Sequence, residues 1–324
     1  MNTQTTRVVL FLLAVLMVVA SAGYGALLRV AARYAGRPPE KRWLTTVSFA
    51  LVALGAACFG YALFIEADWL EVTRLTVQTD KWPAGKVLRV AHLSDLHVDR
   101  TSRALARLAD VLRDEKVDLI VFTGDSINEA EAAPLFRSIF GGLPARLGRV
   151  AVRGNHDAFR WGKIDLFGGG IATELMSDAP LLLEGGALAI CGAPFRALDG
   201  VEGCLASAPA DALVMFVYHS PDLVEALQPP PDLYLTGHTH GGQVAMPFYG
   251  ALITMSNFDK RYEAGRYQVG KTTLYVSRGI GFEPHMPRVR FLARPEVTII
   301  ELMGVGKERM PSPPRGEGEG GDGG

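Results

Sequence analysis

The sequence predicts an α/β domain preceded by a membrane-spanning helical hairpin. Two observations indicate this class. Between residues 72 and 302, short runs of branched apolar residues alternate with amphipathic stretches, as expected for a sheet covered by helices. Ahead of them lie two uncharged apolar runs, residues 8–28 and 43–65. Each run is about as long as a helix needs to cross the hydrocarbon core of a bilayer.

The charges that flank the two apolar runs predict their orientation. The connector carries a single acid, Glu40, against five basic residues. These are Arg29, Arg33, Arg37, Lys41 and Arg42. The positive-inside rule places such a connector in the cytoplasm. We therefore predict a multi-pass anchor at residues 1–66 in the cell inner membrane, with an extracytoplasmic domain after it. Two alternatives stay open, namely buried core helices and cleavage of a signal peptide after Ala20-Ser21-Ala22.

The elements of the domain follow from the spacing of apolar residues. A strand is predicted at residues 87–93, a helix at residues 102–112, a buried strand at residues 117–122, a helix near residues 129–139 and a strand at residues 149–152. Further strands are predicted at residues 181–183, 188–190, 212–217, 232–235, 273–276 and 297–302. We expect the domain to cover residues 67–303. Residues 304–324 are rich in Gly, Pro and Glu, which predicts a disordered tail.

The composition of the 324-residue chain excludes several classes of protein. Hydrophobic residues make up 48% and charged residues 21%, which is enough to bury a large core. The net charge of −1 argues against a nucleic-acid partner. The three cysteines, Cys58, Cys191 and Cys204, form no Cys-x-x-Cys pair, which excludes a cysteine zinc site. A bridge between Cys191 and Cys204 is left open.

Polar residues follow five of the predicted strands at their carboxyl ends. They occur in the blocks Asp95-Leu96-His97, Gly124-Asp125, Gly154-Asn155-His156-Asp157, His219 and Gly237-His238-Thr239-His240. Ligands of open α/β sheets bind outside the carboxyl ends of the strands. Because five of the seven histidines occupy these positions, we expect one shared site rather than separate capping residues.

The types of residue in these blocks predict the ligand. Imidazole and carboxylate groups without a thiolate suit divalent Mn, Fe, Zn or Co better than Ca or Cu(I). The glycines before Asp125, Asn155 and His238 are expected to let the backbone turn sharply where each strand delivers its ligand.

The ordered set of blocks resembles the signature of the calcineurin-like metallophosphoesterases. The match runs from Leu88 to His240, with every block in family order. It implies a metallophosphoesterase β-sandwich, in which two mixed sheets are flanked by helices, and a metal-dependent hydrolase. The resemblance also implies two divalent metal ions and a bridging hydroxide that attacks phosphorus.

The resemblance further implies a role for each residue of the site. One metal would be held by Asp95, His97 and His240, the second by Asn155, His219 and His238, with Asp125 between them. His156 would stabilise the transition state or protonate the leaving group, oriented by Asp157. The alternative for His156 is a purely structural hydrogen bond.

The segment after His240 resembles the YkuE-like group of bacterial membrane-associated phosphoesterases, which is similar to UDP-2,3-diacylglucosamine pyrophosphatases. The motifs are His240-Gly241-Gly242-Gln243, Tyr262-x-x-Gly265-x-Tyr267, residues 275–281, Pro287-x-x-Arg290 and Arg294-Pro295-Glu296. Arg278, Arg288 and Arg290 are candidates to clamp a substrate phosphate by bidentate hydrogen bonds. The alternative is a solvated turn between two late strands.

These features predict hydrolysis of a phosphodiester or diphosphate bond in a membrane-linked phosphate ester. A UDP-2,3-diacylglucosamine pyrophosphatase of lipid A synthesis is an alternative, but its cytoplasmic substrate conflicts with the predicted orientation. A phosphomonoesterase or phosphoprotein phosphatase is a further alternative. The phosphoprotein branch commonly carries Gly-Asp-x-Val-Asp-Arg, where this chain has Gly124-Asp125-Ser126-Ile127-Asn128-Glu129. The complete ligand set disfavours a non-catalytic scaffold.

Overall fold

The computed structural model describes residues 3–36, 42–284 and 286–306. Its α-helices are α1 (Thr3–Tyr34), α2 (Arg42–Phe64), α3 (Arg103–Asp114), α4 (Ala133–Gly141), α5 (Asn155–Arg160) and α6 (Val201–Ala206). Its strands are β1 (Glu71–Ala84), β2 (Val87–Leu93), β3 (Leu119–Phe122), β4 (Arg149–Ala151), β5 (Thr173–Glu174), β6 (Leu181–Leu183), β7 (Leu188–Gly192), β8 (Leu213–Val217), β9 (Leu233–Thr236), β10 (Ala245–Met246), β11 (Gly250–Ala251), β12 (Gly265–Val269), β13 (Thr272–Val276) and β14 (Glu296–Gly304).

The two N-terminal helices form a hairpin outside the domain. Ser21 Oγ and Ser48 Oγ lie 2.9 Å apart and join α1 to α2. Both helices are long and apolar enough to span a membrane, and most of their side chains are exposed. Core helices of a soluble protein would be buried, so this exposure argues against that alternative. The basic connector at residues 37–41 lies outside the described residues.

Two six-stranded mixed sheets form the domain. The first has the order β1-β14-β2-β3-β4-β5, with β14 and β2 antiparallel and the other neighbours parallel. The second has the order β12-β13-β9-β8-β7-β6, with its two outer pairs antiparallel. The short strands β10 and β11 pair separately. This arrangement confirms the predicted class of two mixed sheets flanked by helices.

Three apolar clusters hold the layers together. Val90 and Val121 of the first sheet belong to one buried apolar cluster with Met215 and Leu235 of the second, so the two sheets pack face to face through apolar side chains. On the outer face of the first sheet, helices α3 and α4 bury apolar side chains that recur at helical spacing, such as Leu108 of α3. Helix α6 covers the outer face of the second sheet.

Local sequence fixes where these elements begin. Ser102 Oγ accepts a hydrogen bond from the Leu105 backbone N at 3.2 Å and caps α3, so the helix starts one residue later than predicted. The short helices α5 and α6 and the strands β1, β5, β10, β11 and β12 are additions to the predicted set. Strand β1 was not predicted because two of its inward-facing positions are the polar residues Thr79 and Lys81, although burial alternates from Arg74 to Lys81.

The cysteine bridge that the sequence left open is formed. Cys191 of β7 and Cys204 of α6 are joined by a disulfide, with their Cα atoms 6.1 Å apart. Strand β14 runs to Gly304, one residue beyond the predicted domain limit. Residues 307–324, most of the predicted tail, lie outside the described residues.

Candidate metal centre

The carboxyl ends of strands from both sheets meet at one edge of the sandwich. Asp95 and His97 follow β2, Asp125 follows β3, and Asn155 begins α5 directly after β4. From the second sheet, His219 follows β8, and His238 and His240 follow β9. The two sheets touch here, since His219 Nδ1 lies 2.9 Å from the backbone oxygen of Thr123.

Six of the predicted metal ligands are linked by short distances. Asp125 Oδ2 lies 3.5 Å from His97 Nε2 and 3.2 Å from His219 Nε2. On the other side, Asp95 Oδ1 lies 3.4 Å from His240 Nε2 and 4.0 Å from His219 Nε2. His238 Nδ1 lies 3.1 Å from His219 Nε2. The structure therefore brings these six groups together at one edge of the sandwich.

Two overlapping triads have the spacing of a cation site. Ligand atoms of Asp95, His97 and His240 lie within 4.8 Å of one another, and so do those of Asp95, Asp125 and His219. All these residues are buried. Asn155 is the seventh predicted ligand. Its side-chain Oδ1 is buried and has no hydrogen-bond partner among the described residues.

The backbone is strained at most of these positions. Asp95, His97, Asp125, His238 and His240 all have positive φ, between 41° and 71°. Non-glycine residues rarely adopt this left-handed conformation, and it persists only where the surrounding structure enforces it. Such strain clusters at functional sites, which supports a functional role for this edge.

The glycines before the ligands act differently from the prediction. Of the three, only Gly124 adopts a left-handed turn, with φ 102°. Gly154 and Gly237 serve close packing instead. A Cβ on Gly154 would lie 2.1 Å from Asp125 Oδ1, and one on Gly237 would lie 2.2 Å from Asp95 Oδ2. Because these glycines have no side chain, the two carboxylates have room to pack against them. The left-handed backbone conformation occurs at the following residues, Asp125 and His238, among others.

In His97 and His219, a protein oxygen fixes Nδ1, so that Nε2 faces the centre. His97 Nδ1 donates to Asn128 Oδ1 at 2.7 Å, and His219 Nδ1 donates to the Thr123 carbonyl. The Nε2 atoms of His97 and His240 are buried and make no hydrogen bond within the described part of the chain. Metal-binding histidines show this pattern, in which the outer partner fixes the tautomer.

The charges of the site favour a cation. Burial raises the pKa of Asp95, but the neighbouring imidazoles, that of His240 foremost, outweigh it and hold the pKa well below its usual range. Burial lowers the pKa of His97 and of His238 to about 4, which keeps both imidazoles neutral. For His219, burial lowers the pKa but Asp125 outweighs it, raising the pKa to about 9. A divalent cation would displace that proton, because a ligating imidazole has to be neutral.

His156 faces a carboxylate that the sequence did not single out. Its Nε2 lies 3.1 Å from Glu283 Oε1. Burial lowers the pKa of His156, but the hydrogen bond to Glu283 and the charge of Asp125 outweigh it and raise the pKa above its usual value. Glu283 Oε2 also lies 3.7 Å from His240 Nε2. Glu283 follows β13, the strand beside β9, so the same strand-end rule points to it.

The sequence predicted that Asp157 orients His156, but the structure places the Asp157 carboxylate on backbone groups instead. Its carboxylate accepts hydrogen bonds from the backbone N atoms of Asp125 at 2.8 Å and Ser126 at 2.9 Å. It also accepts one from the Gly154 backbone N at 3.2 Å, in the first turn of α5. Asp157 therefore points back into the loops and fixes them, while His156, one residue earlier, points outward. Burial raises the pKa of Asp157 to about 6.

The three predicted phosphate-binding arginines are engaged with the protein. Arg278 donates from Nε to Glu296 and from Nη2 to Glu71, each at 2.8 Å. Arg288 makes a two-pronged contact with Asp99 at 2.7 and 2.6 Å. Arg278 thus uses two donor groups within the fold and Arg288 uses Nη1 alone, and each guanidinium is paired with a carboxylate of the protein.

Arg290 is fully buried. It donates to the carbonyls of Arg278, Gly281 and Ala293. Its Nη2 lies 3.4 Å from His240 Nδ1. Burial lowers the pKa of Arg290 to about 9. This arginine supports the loop behind a predicted metal ligand and faces no solvent.

Comparison with known proteins identifies the family. Residues 88–242 match the calcineurin-like phosphoesterase family. The metallophosphoesterase YkuE of Bacillus subtilis is 33% identical over 276 residues, which cover 78% of this chain and 94% of YkuE. The chain belongs to the calcineurin-like phosphoesterase family. It is therefore a metal-dependent hydrolase.

Other family members differ in the activity that their names carry. The phosphodiesterase YaeI of Escherichia coli is 29% identical, with 76% of this chain and 93% of YaeI covered. The UDP-2,3-diacylglucosamine pyrophosphatase LpxG of Chlamydia muridarum is 25% identical, with 80% of this chain and 97% of LpxG covered. Calcineurin-like phosphoesterases use divalent metals, and the buried Nε2 atoms without hydrogen bonds fit that requirement.

Proposed function

We propose that the chain hydrolyses a phosphodiester or diphosphate bond at a centre of two divalent cations. The observation that carries the proposal is the convergence of buried imidazoles and carboxylates from both sheets. One cation would be held by Asp95, His97 and His240, and the other by Asn155, His219 and His238. Asp125 would lie between them, because its Oδ2 is close to an imidazole of each half. Bound there, divalent cations supply Lewis-acid stabilisation of the phosphoryl oxygens.

His156 would act on the leaving group. The Glu283 carboxylate favours the protonated imidazole, which can stabilise developing negative charge or protonate the leaving oxygen. Glu283 is the positioning residue for this imidazole, and Asp157 positions the loops that carry Asp125 and Asn155. Burial of this edge excludes bulk water and strengthens each of these interactions.

The hairpin supports a membrane-linked phosphate ester as the substrate, since anchoring concentrates an enzyme at lipid head groups. Two apolar helices indicate association with the membrane. We propose that both cross the inner membrane and that the domain is extracytoplasmic. The basic connector supports this orientation, and so does the disulfide, since disulfides persist in oxidising compartments.

The first test joins metal content to hydrolysis. The purified full-length chain is expected to bind about two equivalents of Mn, Fe, Zn or Co and to cleave bis-p-nitrophenyl phosphate. Asp125→Ala should lose bound metal and lower kcat/KM by more than about 100-fold, since even outer partners of metal ligands contribute 10–100-fold. Asp110→Ala is the matched control, because Asp110 is an exposed carboxylate whose ion pair within the described residues is with Arg113.

Two results would separate the alternatives. Metal-loaded protein that cleaves no phosphodiester, diphosphate or phosphomonoester would favour a non-catalytic scaffold. Preference for a phosphomonoester over bis-p-nitrophenyl phosphate would favour a phosphatase.

The membrane side has its own experiment. A reporter fused after residue 324 should be active only outside the cytoplasm, and Cys191 and Cys204 should resist alkylation until a reductant is added. Cleavage of UDP-2,3-diacylglucosamine together with a cytoplasmic reporter would instead support the activity that LpxG carries in its name, and would overturn the proposed orientation.

A further inference from the structure

The membrane hairpin touches the same edge of the domain that carries the metal centre. On the α2 side, the backbone N of Arg290 donates to the Ala62 carbonyl at 3.2 Å. The Phe291 ring packs edge-to-face on Tyr61, with 6.3 Å between centroids. Because Arg290 also contacts His240, only one residue separates α2 from a predicted metal ligand.

A second contact joins α1 to the other half of the centre. Gln4 Oε1 accepts a hydrogen bond from the Thr254 backbone N at 3.0 Å, and Arg7 forms an ion pair with Asp259. Met255 lies between Thr254 and Asp259 in the sequence, and its carbonyl oxygen is 3.2 Å from His238 Nε2. The metal-binding edge thus contacts the start of α1 and the end of α2.

These contacts set the level of the bilayer relative to the site. The apolar run of α1 begins at residue 8 and that of α2 ends at residue 65, so the boundary of the hydrocarbon core lies near these positions. The contacts of α1 occur at residues 4–7 and those of α2 at residues 61–62. The loop that contains Phe291 therefore reaches the depth at which acyl chains begin.

Large apolar side chains are exposed on the two chain segments that contact the hairpin. They are Phe248, Tyr249, Met255, Met286 and Leu292. We call this set the apolar rim. Tyr249 packs under Lys260, next to the residue that pairs with Arg7, and Leu292 follows the residue that packs on Tyr61. An apolar patch of this kind in water marks a membrane or protein interface.

A cleft of about 500 Å³ opens at the base of α2. Leu63 and Phe64 form its apolar wall, and Arg100 and Arg103 lie opposite. Neither arginine side chain has an ion-pair partner within the described residues. Phe282 also lines the cleft, and the next residue, Glu283, belongs to the metal centre. The cleft thus combines an apolar wall, the side chains of Arg100 and Arg103, the carboxylate of Asp68 and the Arg288–Asp99 ion pair, next to the edge that carries the metal centre.

We propose that the apolar rim inserts into the bilayer and that the cleft at the base of α2 receives the head group of an anionic membrane lipid, whose phosphoester is the substrate. This inference rests on the proposed function for the reaction, while the membrane contact stands on the hairpin alone. A lipid fits better than a protein partner, since the rim continues the apolar surface of the anchor at the same depth. Free arginines near a membrane attract anionic head groups.

The membrane contact can be measured without any activity. In the full chain in vesicles, Phe248→Trp should add a fluorescence component that brominated lipids quench. Leu182→Trp is the matched control, because Leu182 is exposed on β6 of the second sheet, a strand outside the segments that contact the hairpin in the described part of the chain. Equal quenching at the two positions would overturn the insertion of the rim. The native tryptophans contribute the same background to both proteins.

The cleft is tested by comparing two substrates. The probes are a diacylglycerol phosphodiester of p-nitrophenol embedded in vesicles and soluble bis-p-nitrophenyl phosphate. Arg100→Ala combined with Arg103→Ala should lower the ratio of their kcat/KM values roughly tenfold, since each arginine near the surface attracts anionic lipid. Arg107→Ala with Arg113→Ala, on the exposed face of α3, should leave the ratio unchanged.

Each outcome of the second experiment has a meaning. An unchanged ratio in the cleft variant would overturn the head-group site. Equal loss with both probes would also overturn it, because the arginines would then support the fold. If wild-type protein cleaves neither probe, the proposed function fails, while the quenching result still decides whether the rim enters the bilayer.

Discussion

The metal centre and the arginine segment at residues 278–290 lie beside each other, yet they use polar residues in opposite ways. In the centre, imidazole nitrogens are buried and left without hydrogen bonds, facing a common point. In the arginine segment, most charged donors are matched to protein acceptors, and Arg290 Nε is a buried exception. The centre is built to bind something from outside, whereas the segment is bound to its own fold.

This difference teaches how far a residue type indicates function. Buried donors and acceptors are almost always paired, so an unpaired group is informative and a paired one is not. Arginine suits phosphate, but its five donors suit backbone carbonyls equally well. The spacing of the arginines carried no information on which partner each would find.

The sharpest test of the comparison is His156, at the boundary of the two regions. His156→Ala should lower kcat by about 10²–10⁴-fold, the usual contribution of a general acid. Metal content, measured by elemental analysis, should be unchanged, since His156 is not among the predicted ligands. Loss of bound metal would assign His156 a structural role and extend the centre beyond its predicted set.

Arg290 should behave as part of the fold. Arg290→Met leaves three buried carbonyls without their donor, so we expect the free energy of unfolding to fall by about 3 kcal/mol or more. Arg290→Lys should recover little, because an ammonium cannot reproduce the planar fork. Thermal unfolding measures both, with the exposed Arg146→Ala as the control. Unchanged stability with a raised KM would instead restore the substrate clamp.

Asn128 tests whether the centre depends on outer partners. Asn128→Ala removes the acceptor that fixes His97 Nδ1, so metal affinity should fall about 10–100-fold. A metal titration of the stripped protein gives the dissociation constant. Asn257→Ala, at an exposed asparagine, controls for loss of an amide group. Equal affinity in Asn128→Ala and wild type would show that the imidazole is held by packing alone.

Arg288 should give the smallest effect. Its pair with Asp99 is open to solvent on one side, so Arg288→Ala should change the free energy of unfolding by about 1 kcal/mol or less. Chemical denaturation with wild type alongside measures the difference. A KM for a soluble diphosphate that rises tenfold at unchanged stability would show that Arg288 leaves Asp99 to bind substrate.

The sequence predicted most of the fold and the position of the metal centre. Asp95, Asp125 and His219 were found because strand ends in α/β sheets converge by topology, whatever the loops do. Glu283 was missed although it follows β13, which pairs with β9 in the second sheet. The sequence did not predict that these two strands are neighbours. The orientation of Asp157 was also missed. This orientation depends on the direction of one side chain in the first turn of a short helix. The sequence pattern is compatible with either direction.

The left-handed backbone conformation of five predicted ligands lowers the stability of the fold at the residues that the proposed activity requires. Each such residue costs about 1 kcal/mol relative to a relaxed conformation, a cost that glycine does not carry. Selection of this chain for heat resistance alone would therefore tend to erase its chemistry. Asp125, with φ 59°, is a position where glycine would relax the polypeptide while removing the carboxylate between the two halves of the centre. Thermostabilised variants of this protein should accordingly be chosen on hydrolysis and melting temperature together.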